Sequence, residues 1–363
     1  MTTQCPGETS RLPWRPFVPM GGRPRLSVHQ MQDPGGGRNF FGPASPLQSF
    51  FPSHLPLDFL SLFFRKRLPF PMKDAANLPM QVPGSGLSAE PISQRRLDSV
   101  PQVARAHWPE YLMESAELGL FMVSACVVTT ILYHPHSPAL HWIGNPFLRM
   151  VLTGLAMAAT LLLLIHSPWG KQSGAHMNPA LTLMFLRLRK IELWDAIFYM
   201  IFQFLGGLAG VLLSFLLLGQ AVAHPDVNFA VTQPGRPGVA VAFFAELAIS
   251  LALAATVLLT SNDKALSRFT PYCAAILLAT YITFEAPFSG MSMNPARTLG
   301  SAIPAQAFHS IWIYFTAPPL GMLIASELYL RLRSAQCVYC AKYHHNNRRR
   351  CIFRCRYAEL QGN

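Results

Sequence analysis

Two asparagines, each followed by Pro-Ala, carry the residue pattern with the most chemical content. Asn178-Pro179-Ala180 lies in the stretch 173–183, and Asn294-Pro295-Ala296 lies in 289–299. Eight of the eleven positions of these stretches are identical. An internal repeat dictates architecture, so it is read first. Proline suits the first turn of a helix, where its missing N–H is not needed, and an asparagine directly before it is a strong N-cap. Each copy therefore predicts a short helix starting at Asn-Pro-Ala. A capping amide still offers N–H groups, and the helix N-terminus adds partial positive charge. Two such ends aimed at one point would make a water accept from both asparagines and donate outward. That orientation interrupts a proton wire, and the positive field repels cations. One copy alone is an ordinary cap; two in matching contexts are not.

Arg297 follows the second copy directly. A guanidinium within a membrane is a functional candidate by default, because it can donate to permeants and repel cations at a constriction. The competing reading is a structural ion pair with Glu285. The first copy has Leu181 at this position, so only one constriction would carry the charge. Glu246 lies inside an apolar segment and must accept hydrogen bonds or face water. The free backbone of the Asn-Pro-Ala loop in its own half is its expected partner, and a proton relay is the rival role. Glu114 is the expected counterpart in the first half, with Glu117 as the competing choice. His176, two residues before Asn178, is expected at the cytoplasmic vestibule, donating to a loop carbonyl. The apolar segments hold no metal-ligand spacing and no nucleophile–base pair, so the chain is not expected to be an enzyme. Near the C-terminus stand Cys337-x2-Cys340, His344-His345 and Cys351-x3-Cys355. Cysteines with nearby histidines can bind zinc; the alternative is a basic tail whose cysteines are free or palmitoylated. No other cofactor is expected.

These residues need elements to position them, and composition says which. The chain has 363 residues, of which 51% are hydrophobic and 13% charged, against roughly 25% charged in a soluble domain. Mean hydropathy is above zero. The net charge of +12 comes from an N-terminal arm, short loops and a tail, as positive-inside topology produces, and no nucleic-acid-binding module is present. Six apolar segments, near 111–133, 147–166, 194–219, 238–260, 270–287 and 308–330, approach the ~20 residues needed to cross a bilayer. The loops at 134–146 and 220–237 have almost no Lys or Arg, which places both termini in the cytoplasm. Each Asn-Pro-Ala copy follows the second span of a three-span half. Three is odd, so the halves insert in opposite directions and the two short helices enter from opposite faces. Non-helical backbone at that depth must be buried in protein or line a wet cavity, which implies a pore. The expected fold is an all-α membrane protein of six transmembrane helices plus two re-entrant half-helices in an inverted repeat.

The expected domains are a Pro/Gly/Arg-rich arm over 1–105, a channel over 106–332 with halves near 111–219 and 238–330, and a basic Cys/His-rich cytoplasmic tail over 333–363. The arm reads as disordered or as sequence upstream of the true start, against a targeting segment as the sharper alternative. Gly206, Gly207 and Gly210, with Ala209, form a small-residue face suited to close helix packing in lipid; lining the pore is the alternative.

On both Asn-Pro-Ala copies, the Ser-Gly-Ala-His lead-in, Arg297, Glu246 and the six spans, the stretch 111–330 resembles the aquaporin, or major intrinsic protein, family. The resemblance implies one pore per chain in a homotetramer, in the cell membrane, passing water or small uncharged solutes. It also implies an outer selectivity filter at Arg297, Met291, Ile282 and Thr153, without the aromatic residue and histidine of a typical water filter. Thr298 and Ala302 differ from the Asp and basic residue usual in glycerol-conducting relatives, and Tyr314-Phe315 resembles the aromatic pair of water-type members. These positions favour a water channel over a facilitator of glycerol, peroxide or ammonia. A non-conducting assembly protein on the same fold is the more distant alternative.

Overall fold

The computed structural model describes residues 99–362. Among them eight helices carry the architecture. The first half has α1 (Val100–Tyr133), α2 (Pro146–His166), α3 (Pro179–Arg187) and α4 (Leu193–Leu218); the second has α5 (Val239–Ser261), α6 (Thr270–Phe284), α7 (Pro295–Ala305) and α8 (Trp312–Leu332). The short α3 and α7 are the half-helices that begin at the two Asn-Pro-Ala motifs. α1 packs along α4, α5 along α8, and α2 against α6. The half-helices cross over, with α7 on α4 and α3 on α8. Exchanging the halves leaves this pattern unchanged, which is the inverted repeat in structural form.

By length and apolar composition α1, α2, α4 and α5 suffice to cross a membrane. The other two members of the bundle are built differently. α6 has 15 residues, about 22 Å of helix, and the chain lengthens it with a turn at either end, Ser267–Phe269 and Ala286–Ser289. α8 has 21 residues but contains Pro318 and Pro319, with Glu327 and Arg331 toward its end. α6 takes its place against α2, its pseudo-symmetric counterpart, and α8 along α5. Large apolar side chains such as Leu163, Leu216, Phe244 and Ile276 face outward and exposed, a surface suited to lipid or to a partner subunit.

Glycines set the tightest contacts. A Cβ on Gly206 would stand 2.1 Å from the Ser115 carbonyl oxygen, and one on Gly207 would stand 2.8 Å from that of Ala296. The small-residue face is thus divided, Gly206 against α1 and Gly207 against α7, and neither glycine lines the cavity described below.

Two boundaries differ from expectation. α1 starts at Val100 and runs 34 residues through Pro109, so the last residues assigned to the arm belong to the first helix. The rest of the arm, 1–98, lies outside the described residues. The stretch after α2 forms a short helix, Pro168–Ser173, which delivers the chain to the first re-entrant loop. After α8 the chain has little regular structure until α9 (Tyr357–Gln361).

Candidate functional site

The asparagine caps form as the sequence requires. Asn178 Oδ1 accepts from the Ala180 N–H at 2.9 Å, and Asn294 Oδ1 accepts from Ala296 and Arg297 N–H at 3.0 and 3.2 Å. The amide nitrogens reach across the repeat. Asn178 Nδ2 donates to the Met293 carbonyl at 2.7 Å, and Asn294 Nδ2 donates to the Met177 carbonyl at 2.7 Å. The two half-helix N-termini are therefore tied to each other directly. Each amide has a second N–H, and both asparagines line the central cavity.

The loops that lead to the caps have matching backbones. Gly174 and Gly290 stand at φ 99° and 77°, Ala175 and Met291 at 57° and 51°, and Met177 and Met293 at 48° and 53°. A positive φ is costly for residues with a Cβ, so something must hold these loops. Buried carboxylates do. Glu246 accepts from Ser292 N–H at 2.6 Å, Met293 N–H at 2.8 Å and Ser289 Oγ at 2.8 Å. Glu114 accepts from His176 N–H at 2.8 Å, Met177 N–H at 2.6 Å and Gln203 Nε2 at 2.8 Å. Glu117, the competing choice, instead accepts from Ser173 Oγ at 3.1 Å. The first half thus divides between two carboxylates what Glu246 does alone. A tyrosine from the third span of each half completes the support: Tyr199 Oη donates to the Ser173 carbonyl at 2.7 Å and Tyr314 Oη to that of Ser289 at 2.5 Å.

The cavity between the halves measures about 370 Å³. One end is lined by Asp226, whose side chain is 61% exposed. Thr153, Ile282, Met291 and Arg297 all line the cavity, as do Asn178 and Asn294. Arg297 forms no ion pair among the described residues, so the Glu285 alternative is not realised. Its buried Nη1 has no protein acceptor, which leaves a donor for whatever occupies the cavity.

At the other end residues 338–356 pack beside the cavity, and Tyr343 alone of them is part of its lining. His176 and Tyr343 line the cavity there, and they are 3% and 6% exposed. His176 Nε2 bonds the Ala341 carbonyl at 2.7 Å, and its ring is stacked between Phe185 and Phe353 at centroid distances of 5.0 and 5.3 Å. The carbonyl expected for His176 thus belongs to the tail rather than to a channel loop. Tyr343 N–H donates to the Gly174 carbonyl, and Arg354 N–H to that of Lys190. Lys342 Nζ donates to the carbonyls of Lys171 and Arg350. Burial lowers the ammonium pKa of both Lys190 and Lys342 from the ordinary lysine value. Ion pairs hold the rim, Arg350 with Glu110 at 3.7 Å and Arg354 with Glu192 at 2.5 Å.

Comparison with known proteins fits this geometry. Residues 104–329 match the family model described as Major intrinsic protein. The chain belongs to the major intrinsic protein family. It is similar to Aquaporin NIP3-1 of Zea mays, 35% identical over 187 residues, covering 51% of this chain and 59% of that one. It is also similar to Aquaporin NIP2-2 of Zea mays, 31% identical over 219 residues, covering 60% and 72%. The chain thus spans about three fifths of the length of NIP3-1. Among solved structures it matches the X-ray structure of the aquaglyceroporin from Plasmodium falciparum. The TM-score is 0.50 at 19% identity, over 61% of this chain and 95% of that one, a likeness of fold.

As a major intrinsic protein the chain is an integral membrane protein of a channel family rather than an enzyme family. Several residues of its site went unnoticed in the sequence. Tyr133 lines the cavity, with its hydroxyl 3.4 Å from Thr153 Oγ1, and it is an aromatic residue beside the expected filter position Thr153. Only its place at the end of the first span could have flagged it. Tyr343 gave no signal, since no periodicity links the tail to the pore. The Tyr314-Phe315 pair lies away from the cavity: Tyr314 supports the loop, and Phe315 stacks on Phe204 at 5.9 Å. The cysteine set also differs. Cys340, His345, Cys351 and Cys355 have their ligand atoms within 4.8 Å of one another. Cys337 is outside that group and sits buried on the turn Ala335–Cys337.

Proposed function

We propose that the protein is a passive, bidirectional channel for water, with both termini in the cytoplasm of the cell membrane and one pore per chain in a homotetramer. The crossed asparagine pair carries this reading. Each asparagine spends one N–H on the opposite loop and has one left at the cavity wall, so a water there accepts from both and donates toward the two ends. The N-termini of α3 and α7 add positive potential at the same point. Arg297 supplies a further unpaired donor and a fixed charge toward the outer end. Together these pass a neutral, hydrogen-bonding permeant and oppose cations and protons. The relatives named aquaporins support the same reading.

Thr153 and Ile282 favour a second permeant class. Neither fills the filter as an aromatic residue or a histidine would, so glycerol or another small neutral solute is the alternative, and Met291 is the side chain that narrows the path against it. Stopped-flow light scattering on proteoliposomes separates the two. Fast shrinkage in sucrose with slow re-entry of glycerol is the expected result, and Met291→Ala is expected to speed the re-entry. Rapid glycerol entry through the unaltered chain would overturn water selectivity. Rates equal to empty liposomes in both solutes, with the tail released, would overturn conduction itself.

A further inference from the structure

The segment packed at the tail-side end of the cavity has almost no means of holding its own shape. Between the turn Ala335–Cys337 and α9 it contains no helix or strand. Yet Val338, Cys340, Ala341, Lys342 and Tyr343 are buried, and the chain doubles back so that Cys340 and Cys351 meet. Short irregular segments of this kind are usually stapled by disulfides or a metal. Here the candidate staple is the cluster of Cys340, His345, Cys351 and Cys355.

The geometry is that of a closed metal site. Cys340 Sγ and Cys351 Sγ are 3.6 Å apart, and Cys355 Sγ is 3.0 Å from His345 Nε2. The three cysteines are free, not bridged. Tetrahedral zinc, with Zn–S near 2.3 Å and Zn–N near 2.0 Å, needs ligand atoms roughly 3.5–3.8 Å apart. The observed spacing requires shifts of only a few tenths of an ångström for these pairs. Three soft thiolates and one imidazole match structural zinc rather than a hard cation. The surroundings suit it as well. Tyr357 N–H donates to Cys355 Sγ at 3.5 Å, and the Tyr357 ring stacks on His345 at 4.3 Å. Three thiolates around Zn²⁺ leave one net negative charge, and Lys342, Arg350, Arg354 and Arg356 are on the same segment.

We propose that Cys340, His345, Cys351 and Cys355 bind a zinc ion that shapes residues 338–356 into a cap on the cytoplasmic mouth of the channel. The ligands alternate with the docking residues. Ala341 and Tyr343 follow Cys340, Arg350 precedes Cys351, and Phe353 and Arg354 lie between Cys351 and Cys355. Fixing the ligands therefore fixes the residues that reach His176, Gly174, Glu110, Lys190 and Glu192. Removing the metal frees a segment that cannot keep this shape alone, because metal binding supplies the folding free energy of such units. The cap as a closure of a conducting pore rests on the channel reading; the metal site does not.

The full-length protein decides this with three readouts. Elemental analysis of protein purified from zinc-containing medium is expected to give about one zinc per chain, lost in Cys340→Ser and in Cys355→Ser. Cobalt alone, added to the apo protein, is expected to produce thiolate-to-metal absorption. Hydrogen exchange of the amides in 338–356 is expected to accelerate on chelation, while α1 to α8 stay protected. Zinc no higher than in the serine variants, or a Cys340–Cys351 disulfide in its place, would overturn the site. Bound zinc with exchange unmoved by chelation would overturn the cap. Water permeability is expected to rise severalfold on chelation. Permeability fixed at the empty-liposome level in every state would count against the channel reading alone, with zinc content and exchange still deciding the cap.

Discussion

Replacing Glu246 by glutamine removes one acceptor from a side chain that uses both. The carboxylate takes Ser289 Oγ and Ser292 N–H on one oxygen and Met293 N–H on the other. A glutamine can keep the first pair only by turning its NH₂ toward the Met293 N–H. Two donors then face each other in a site with no solvent, since residue 246 is fully buried. The orphaned N–H costs about 1–3 kcal/mol, and the two remaining bonds each weaken by about 1 kcal/mol on losing the charge. Glutamine spares the desolvation of a carboxylate, which offsets part of this. A net loss of about 2–4 kcal/mol is the working figure, or roughly 5–15 °C in melting temperature for a domain of this size. Thermal unfolding in detergent reads it directly. Glu114→Gln is expected to fall in the same range, because Glu114 also takes three donors, two of them backbone N–H groups. An unchanged melting temperature in Glu246→Gln, with transport that has lost a pH dependence present in the wild type, would refute the anchor and favour a proton relay.

The remaining expectations concern the pore and the packing. Asn178→Asp and Asn294→Asp each keep the cap acceptor but turn an oxygen toward a carbonyl now 2.7 Å away. Each is expected to destabilise by about 1–3 kcal/mol and to admit cations, measured as current across a planar bilayer; a large effect in only one of the two would break the symmetry argument. Arg297→Val is expected to leave water flux within a few-fold of wild type while raising cation leak, and unchanged leak in a pH-gradient dye assay would remove the residue from cation exclusion. Gly206→Ala places a Cβ 2.1 Å from the Ser115 carbonyl oxygen, so α1 and α4 must separate. Overpacking of this kind costs about 1–3 kcal/mol, to be seen as a lower melting temperature, and an unaltered one would show that the helix pair is loosely held.

What the sequence revealed and what it hid divide along a physical line. The Asn-Pro-Ala motifs were legible because capping chemistry is local: four or five residues determine where a helix starts. The spans were legible because a bilayer imposes length and apolarity on each segment separately, a demand that α1, α2, α4 and α5 meet fully and α6 and α8 meet less well. The Glu246 anchor followed from the cost of a carboxylate in an apolar segment, which demands a partner, and the nearest free backbone supplied one. Glu114 and Glu117 could not be separated this way, since both lie on one helix a turn apart and their choice of Ser173, His176 or Met177 depends on how the loop approaches. The crossed Asn–Met bonds were illegible because the acceptor carbonyl belongs to the other half. The tail was hardest. Its cysteine and histidine gaps are irregular, its docking uses backbone carbonyls rather than a periodic face, and Cys337 and His345 are distinguished only once the chain doubles back.

The crossed bonds also constrain how the protein is made. Asn178 and its acceptor are 115 residues apart in the chain. At about 5–20 residues per second, a ribosome needs roughly 6 to 23 s to supply Met293 after it has passed Asn178. During that interval the first half is in the membrane with an amide donor and the Met177 carbonyl both lacking their final partners. Water or the translocon must serve them until the second half arrives. Each half therefore completes the caps of the other, and a chain cut between α4 and α5 is expected to mature only when both pieces are synthesised into the same membrane.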